Sequence, residues 1–285
     1  MTSPVGVARP RPDAPPKVRG ATRYAADRPR RGLLHARLVL ATHAHARIVA
    51  IDAAAALETP GVVAVLSAAD LPIKAKAWDR STLPLARSEV VFAGQPIALV
   101  IAESDAAASD AAELVNVRLE ALPVVLDAEA AMDPASPLAW QERGAASDEA
   151  GSDAQTHAGV GGGEDESIEA EELSANVVGR SRYWDGDVVG VLAGANVVRE
   201  GRFTTSWIHQ GYLEPQASTA WIDDDGTLVV ESATQSLFET RNGVAKALGL
   251  PQRRVKAIAA PLGGAFGGKW PLLDTLSAAA AHKLR

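Results

Sequence analysis

The segment between Gln141 and Asn176 limits what this chain can fold into, because it cannot itself form a core. Ten acids (Glu142, Asp148, Glu149, Asp153, Glu164, Asp165, Glu166, Glu169, Glu171 and Glu172) stand there against one base, Arg143. They are set among Ser, Ala and the run Gly161-Gly162-Gly163, with almost no large apolar side chain. Such a composition buries too little surface to offset the entropy of ordering a chain, so residues 136–176 are expected to be a disordered acidic linker. The segment carries −9 of a net charge of −7, which leaves +2 on everything else. The acidity is therefore local. It argues against a nucleic-acid binder with a strongly basic face and leaves room for a small anionic ligand. With 285 residues, 47% of them hydrophobic, there is enough chain on either side of the linker to build separate cores.

Upstream, residues 1–16 are rich in Pro and Arg and read as an extended arm. From 17 to 135 strand and helix signals alternate. Gly32–Leu40, Arg47–Asp52, Val62–Leu66, Pro96–Ala102 and Val117–Leu122 read as strands. Ala53–Glu58 fits a helical turn, Ser67 a cap for a short helix, and Ser104 the N-cap of an Ala-rich helix reaching about Asn116. Downstream, Val197–Trp207, Ser218–Asp223, Thr227–Ser232 and Arg254–Ala260 read as strands, with Asp223-Asp224-Asp225-Gly226 as a hairpin turn. Gln235–Leu248 is a helix stopped by Gly249 and Pro251, and Leu272–Arg285 is a second. The fold class is α/β, mixed with α+β.

There is no cysteine, so disulfides, zinc thiolates and cysteine-bound iron–sulfur clusters are excluded within the chain. The N-terminus has no apolar signal region, and Gly94, Gln95 and Pro96 interrupt the longest apolar run, Val90–Ala102. A cytoplasmic protein without a membrane span is the simplest expectation.

The strongest local motif is Gly263-Gly264-Ala265-Phe266-Gly267-Gly268-Lys269, four glycines in seven residues between a strand and a helix. Such a loop lets backbone approach a ligand closely and aims N–H groups at an anion. It is also one step from a phosphate-binding P-loop, but Trp270 stands where that motif needs Ser or Thr for magnesium. A plain tight turn packing helix on sheet is the structural alternative. His35, His43 and His45 form a loose cluster without a carboxylate at useful spacing, which favours structural or surface histidines over a metal site. His209 and Glu214 are a conceivable acid–base pair, although a structural role suits each equally well.

In order along the chain, these motifs resemble the molybdenum-cofactor-binding large subunit of the xanthine dehydrogenase, aldehyde oxidase and carbon monoxide dehydrogenase family. The first half carries Lys17-Val18-Arg19-Gly20, Arg23-Tyr24 with Asp27, and His43-Ala44-His45-Ala46-Arg47-Ile48 with Ile51-Asp52. It continues with Gly61–Leu66, Ala69-Asp70-Leu71-Pro72, Gly94-Gln95-Pro96-Ile97-Ala98 and Glu120-Ala121-Leu122-Pro123. The second half carries Tyr212-Leu213-Glu214-Pro215-Gln216, Ser232-Ala233-Thr234-Gln235, Leu248-Gly249-Leu250-Pro251 and Gly263–Lys269. The resemblance implies an α/β hammerhead domain over 17–135 and, over 177–285, the beginning of a molybdopterin-binding domain.

The resemblance also implies oxidoreductase chemistry: hydroxylation of an aldehyde, N-heteroaromatic or related small substrate, with water as the oxygen source. The cofactor would be molybdenum-molybdopterin, in the cytosine dinucleotide form, with electrons leaving to 2Fe-2S and FAD partner subunits. Gln235 would hydrogen-bond to an oxygen ligand of molybdenum. Gly264, Ala265, Phe266 and Gly267 would bring main-chain amides to the cofactor. Glu214 would be structural. Two departures matter. Purine-oxidising members have Glu after Gly-Gly-Lys, where this chain has Trp270, so an aromatic wall for an aldehyde or heteroaromatic ring is expected instead. The general-base glutamate and most molybdopterin contacts of the family have no matching segment here. No catalytic residue and no direct metal ligand is therefore assigned, and 1–285 alone is expected to be inactive. A truncated gene model, a split gene whose missing region is a separate chain, and a relic are all consistent with that pattern. The alternative is a non-catalytic assembly fragment that only docks on partner subunits.

Overall fold

The structure is a computed structural model that describes residues 5–74, 84–141, 174–177, 185–271 and 273–284. Most of the expected linker, 142–173, lies outside the described residues. Its two ends are inside them and meet. Asn176 Oδ1 accepts the Ala139 N–H at 2.8 Å, and Asn176 Nδ2 donates to the carbonyls of Pro137 (3.0 Å) and Ala131 (3.3 Å). One amide side chain thus fastens the segment before 142 to the segment after 173.

The first half builds two three-stranded sheets. One has the order β1 (His35–Leu40), β5 (Pro96–Ala102), β3 (Val62–Ser67), and the other β4 (Glu89–Val90), β2 (Ala46–Asp52), β6 (Asn116–Ala121), all antiparallel. β5 is central and buried on both faces, which explains its unbroken apolar run. Leu99 and Ile101 point into one core, while Ala98 and Val100 point into another against Ala111 and Val115. Pro96 sits at the strand's first residue, where its missing N–H does least harm. Ser104 caps helix α3 (Asp105–Leu114) by accepting the Ala107 N–H at 3.1 Å. Ser104→Ala is expected to cost about 1 kcal/mol in a urea titration.

His45 is a structural residue. It is buried, with Nε2 2.5 Å from Glu89 Oε1 and Nδ1 against the Pro123 carbonyl. The carboxylate that local spacing did not offer comes from β4 through the sheet. Among the described residues no group of three His, Asp or Glu stands together as a metal site.

The second half forms a third sheet, β7 (Ser218–Ile222), β8 (Leu228–Ser232), β9 (Val255–Ala259), antiparallel between β7 and β8 and parallel between β8 and β9. The helix between the parallel strands, α5 (Leu237–Leu248), ends at left-handed Gly249 (φ 66°), with Leu250 N–H returning to the Ala245 carbonyl at 2.9 Å. The last helix is α6 (Leu273–Lys283). The two halves are not tethered bodies: Leu66, Leu71, Leu85, Leu99 and Ile101 share one apolar cluster with Leu228, Val230, Val244, Leu248 and Leu276. Lys74 N–H also bonds the Ala247 carbonyl at 3.0 Å, and Arg28 pairs with Glu231.

Three expectations are corrected. The arm is not extended throughout, because Ala14–Val18 forms a short helix, α1, opened by Pro15 and Pro16. Ser67 caps no helix; its N–H and hydroxyl both donate to Asp70 Oδ2 in a tight turn. Val197–Trp207 is not a strand. A strand needs a neighbour to accept its hydrogen bonds, and neither edge of the third sheet takes this segment. It follows another short helix, α4 (Val188–Gly194), and leaves Phe203 94% and Trp207 103% exposed. Ion-pairing of Arg202 with Glu129 ties it to the first half. No helix among the described residues is long and apolar enough to cross a membrane.

Candidate functional site

Parallel pairing of β8 and β9 decides where the site lies. Ser232 stands beside Ala259, so the two chains leave the sheet at the same edge. One continues as Ala233-Thr234-Gln235 and the other through Pro261-Leu262 into the glycine loop. They are joined at once: Gln235 N–H donates to the Lys269 carbonyl at 3.2 Å, and Lys269 N–H donates to Gln235 Oε1 at 3.3 Å. Gln235 does not open the helix as expected, since Ser236 is the N-cap and α5 begins at Leu237. It precedes the helix and is exposed at the loop.

The segment 210–214 closes the other side. Glu214 Oε2 accepts the Gly263 N–H at 2.7 Å and pairs with Lys269 Nζ, which also lies 4.9 Å from the Tyr212 ring centroid. Lys269 is completely buried. Among the described residues His209 does not pair with Glu214; its Nδ1 accepts the Gly211 N–H, and its ring tilts against Tyr212. Sequence reasoning placed Lys269 in the loop motif but did not read its buried pairing with Glu214. Its one signal is a lysine inside a glycine loop, with an acid in the Tyr212–Gln216 motif.

The glycines of the loop serve two separate purposes. A Cβ on Gly263 would stand 2.6 Å from Glu214 Cβ, and one on Gly268 would stand 2.8 Å from Tyr212 Cε1 and 2.9 Å from Gln210 Cδ. These two glycines make the loop's own packing possible. Gly264 (φ 99°) and Gly267 (φ 86°) instead supply a backbone that other residues rarely adopt, and beside Gly267 the space is open. Between them Phe266 has φ 50°, alone among described non-glycine residues in being left-handed, and its ring is exposed.

The four consecutive amides of Gly264, Ala265, Phe266 and Gly267 have no hydrogen-bond partner among the described residues. Glu214 Oε1 is buried and likewise unpartnered. Since Lys269 is neutralised by Glu214, the loop offers amide dipoles rather than net charge, and this suits a bulky anionic group. Positive charge lies alongside. A cleft of about 480 Å³ next to Pro261 and Leu262 is lined by Arg11, Lys17, Arg23 and Arg28. Asp13, also in its lining, is held well below the usual carboxylate range by Arg11 first and Lys17 second. Trp270 follows the loop, half-exposed, its carbonyl accepting from Gln216 Nε2 at 2.8 Å.

Comparison with known proteins gives the family. Residues 19–123 match the family model described as aldehyde oxidase and xanthine dehydrogenase, a/b hammerhead domain, and residues 169–285 match the molybdopterin cofactor-binding domain. Together these two define a class, the molybdenum-binding subunits of molybdenum hydroxylases. The chain belongs to the family of xanthine dehydrogenases, aldehyde oxidases and carbon monoxide dehydrogenases. It is 28% identical to the xanthine dehydrogenase molybdenum-binding subunit of Escherichia coli O157:H7, over 94% of this chain and 33% of that protein. It is 32% identical to the carbon monoxide dehydrogenase large chain of Afipia carboxidovorans, over 88% of this chain and 30% of that protein. The solved aldehyde oxidoreductase of Desulfovibrio gigas superposes with a TM-score of 0.76 at 28% identity, over 96% of this chain and 29% of the other. The chain thus spans about a third of the length of the relatives it matches.

Proposed function

We propose that this chain is part of a molybdenum hydroxylase subunit that oxidises an aldehyde, N-heteroaromatic or related small substrate and passes electrons to 2Fe-2S and FAD partner subunits. The observation that carries the reading is the row of four amides from Gly264 to Gly267 without a hydrogen-bond partner among the described residues, in the loop that Gln235 joins, with open space beside Gly267. These residues fit a molybdopterin cofactor, in the cytosine dinucleotide form. When bound, that group supplies the two-electron redox centre and the activated oxygen derived from water. The chain's own residues hold and orient. The loop amides receive the anionic group, the exposed side-chain amide of Gln235 donates to an oxygen on it, and Trp270 walls the substrate side against a planar ring. No proton-transferring base is assigned within 1–285.

Completion by the remainder of the cofactor-binding region, continuous with this sequence or supplied as a separate polypeptide, is part of the proposal. The support is the uncovered apolar stretch from Val188 to Leu213, in which Val189, Val191, Phe203, Trp207, Ile208 and Leu213 are all largely exposed. Purified alone, the chain is expected to carry no stoichiometric molybdenum. Co-produced with such a polypeptide, it is expected to retain the metal and to prefer aromatic aldehydes over xanthine. Gln235→Ala in that complex is expected to lower turnover by about a hundredfold, the usual loss of one preorganised donor. Stoichiometric molybdenum in the isolated chain, or a preference for xanthine, would overturn the corresponding part. A complex that assembles but never holds the metal would favour the non-catalytic docking reading.

A further inference from the structure

Beneath the Gln235 turn runs a polar chain that the cofactor reading does not use. Asp274, in the first turn of α6, is fully buried, with Oδ2 3.1 Å from Thr240 Oγ1 on α5. Thr240 Oγ1 is 3.1 Å from Thr234 Oγ1, which accepts the Ser236 N–H at 3.2 Å and lies 3.4 Å from the Ser236 carbonyl. Thr234 and Ser236 flank Gln235, so the chain ties α6 and α5 to the backbone on both sides of that residue.

Each hydroxyl has one proton, and two arrangements account for the contacts. In the first, Asp274 is ionised, Thr240 donates to it, and Thr234 donates either to Thr240 or to the Ser236 carbonyl, so that one contact goes without a proton. In the second, Asp274 carries a proton on Oδ2 and donates to Thr240, Thr240 donates to Thr234, and Thr234 donates to Ser236. The second uses every contact. The surroundings also favour it: Asp274 Oδ1 is buried and makes no hydrogen bond of good geometry, the hydroxyls of Ser232 and Ser218 standing only close enough to pull weakly on it. An ion with one oxygen stranded in this way would be severely penalised.

Among the described residues no charged side chain relieves it, and the N-terminus of α6, which favours the ion, offsets only a small part of the cost of burial. β7 has no ionisable side chain, and on β8 Glu231 alternates to the face opposite Ser232 and pairs with Arg28. Glu239, Arg241 and Lys246 on α5, and His282 and Lys283 in the last turn of α6, do not perturb it. Burial pushes the Asp274 carboxyl above its ordinary range, against a smaller downward pull from Ser232, Thr240 and Ser218.

We propose that Asp274 is a neutral, protonated acid at physiological pH and a positioning residue, donating into the Thr240–Thr234 chain and so bracing the turn that carries Gln235. The importance of that turn rests on the cofactor reading, whereas the protonation and the bracing do not. The test uses the full chain and no cofactor. Infrared spectroscopy with 13C-labelled aspartate is expected to show a protonated-carboxyl band at pH 7 that Asp274→Asn removes. The second readout is the thermal midpoint between pH 4 and pH 8. A carboxyl raised on folding stabilises fully below its unfolded value, near 4, and this contribution is lost as pH rises toward the folded value. The wild-type midpoint should therefore fall by roughly 3 °C or more relative to Asp274→Asn across that window. Thr240→Ser should behave as wild type and Thr240→Val should lose the brace at every pH. An ionised carboxylate with no protonated band at pH 7, or an Asp274→Asn variant with the wild-type pH slope, overturns the proposal. Failure of Gln235→Ala to affect the metal-loaded complex would overturn the cofactor reading instead and leave these readouts unmoved.

Discussion

Replacing Lys269 with Met is expected to destabilise the chain by about 3–5 kcal/mol, read as a shift of the urea midpoint at neutral pH. Lys269 is completely buried, and its cationic partner role is specific: it meets the Glu214 oxygen that also accepts the Gly263 amide. Without the ammonium, Glu214 keeps one amide for a buried carboxylate whose other oxygen already has no partner. The loss therefore measures an abandoned charge more than a missing bond. It follows that Lys269→Met combined with Glu214→Gln should be closer to wild type than Lys269→Met alone, because the second change removes the stranded charge. Equal or greater loss in the double variant would show that the pair acts through packing of the lysine stem against Tyr212 and not through charge.

Gly263→Ala should lower stability by about 1–3 kcal/mol, the usual range for overpacking, and should also pull the loop from its seat. The added methyl would lie 2.6 Å from Glu214 Cβ and 3.3 Å from Tyr24 Cε1. Glu214 cannot retreat without breaking its contacts to Gly263 and Lys269, so the strain passes into the loop. Gly267→Ala provides the contrast. Its Cβ meets nothing within 4 Å, and only the positive φ opposes it. That variant should lose about 1 kcal/mol of stability, yet on the proposed reading it should impair molybdenum retention in the completed subunit, because the methyl enters the space beside the free amides. A Gly263→Ala chain as stable as wild type would refute the packing role; a Gly267→Ala complex with full metal content would refute the cradle.

Several elements whose controlling interaction is local were read correctly, although Ser67 and the short helix Ala14–Val18 were not. Ser104 caps its helix, Gly249 ends another, and the run from Pro96 to Ala102 is a strand buried on both faces. The larger failures came where a segment depends on a neighbour it does not carry. Val197–Trp207 has the composition of a strand and no edge to join. The acidic segment's composition suggested loose ends, yet Asn176 gathers both of them with three hydrogen bonds. Composition averages over residues and cannot see one well-placed amide.

The same division runs through the site. The glycine loop, Gln235, Glu214 and Trp270 were all visible as residues, because motif spacing is a property of the chain alone. The sequence by itself determined the family, the strand-to-loop-to-helix order and the break made by the acidic segment. It could not show that β8 and β9 lie parallel, which brings Gln235 to the loop across 34 positions; that Lys269 reaches Glu214 across 55; or that Asp274 meets Thr240 across 34. Nor could it show that the halves beside the acidic segment share one core. The reason is physical. Local backbone preference is set by a residue and its near neighbours, but burial, charge pairing and protonation are set by whatever the rest of the chain brings into contact, and only the tertiary structure decides that.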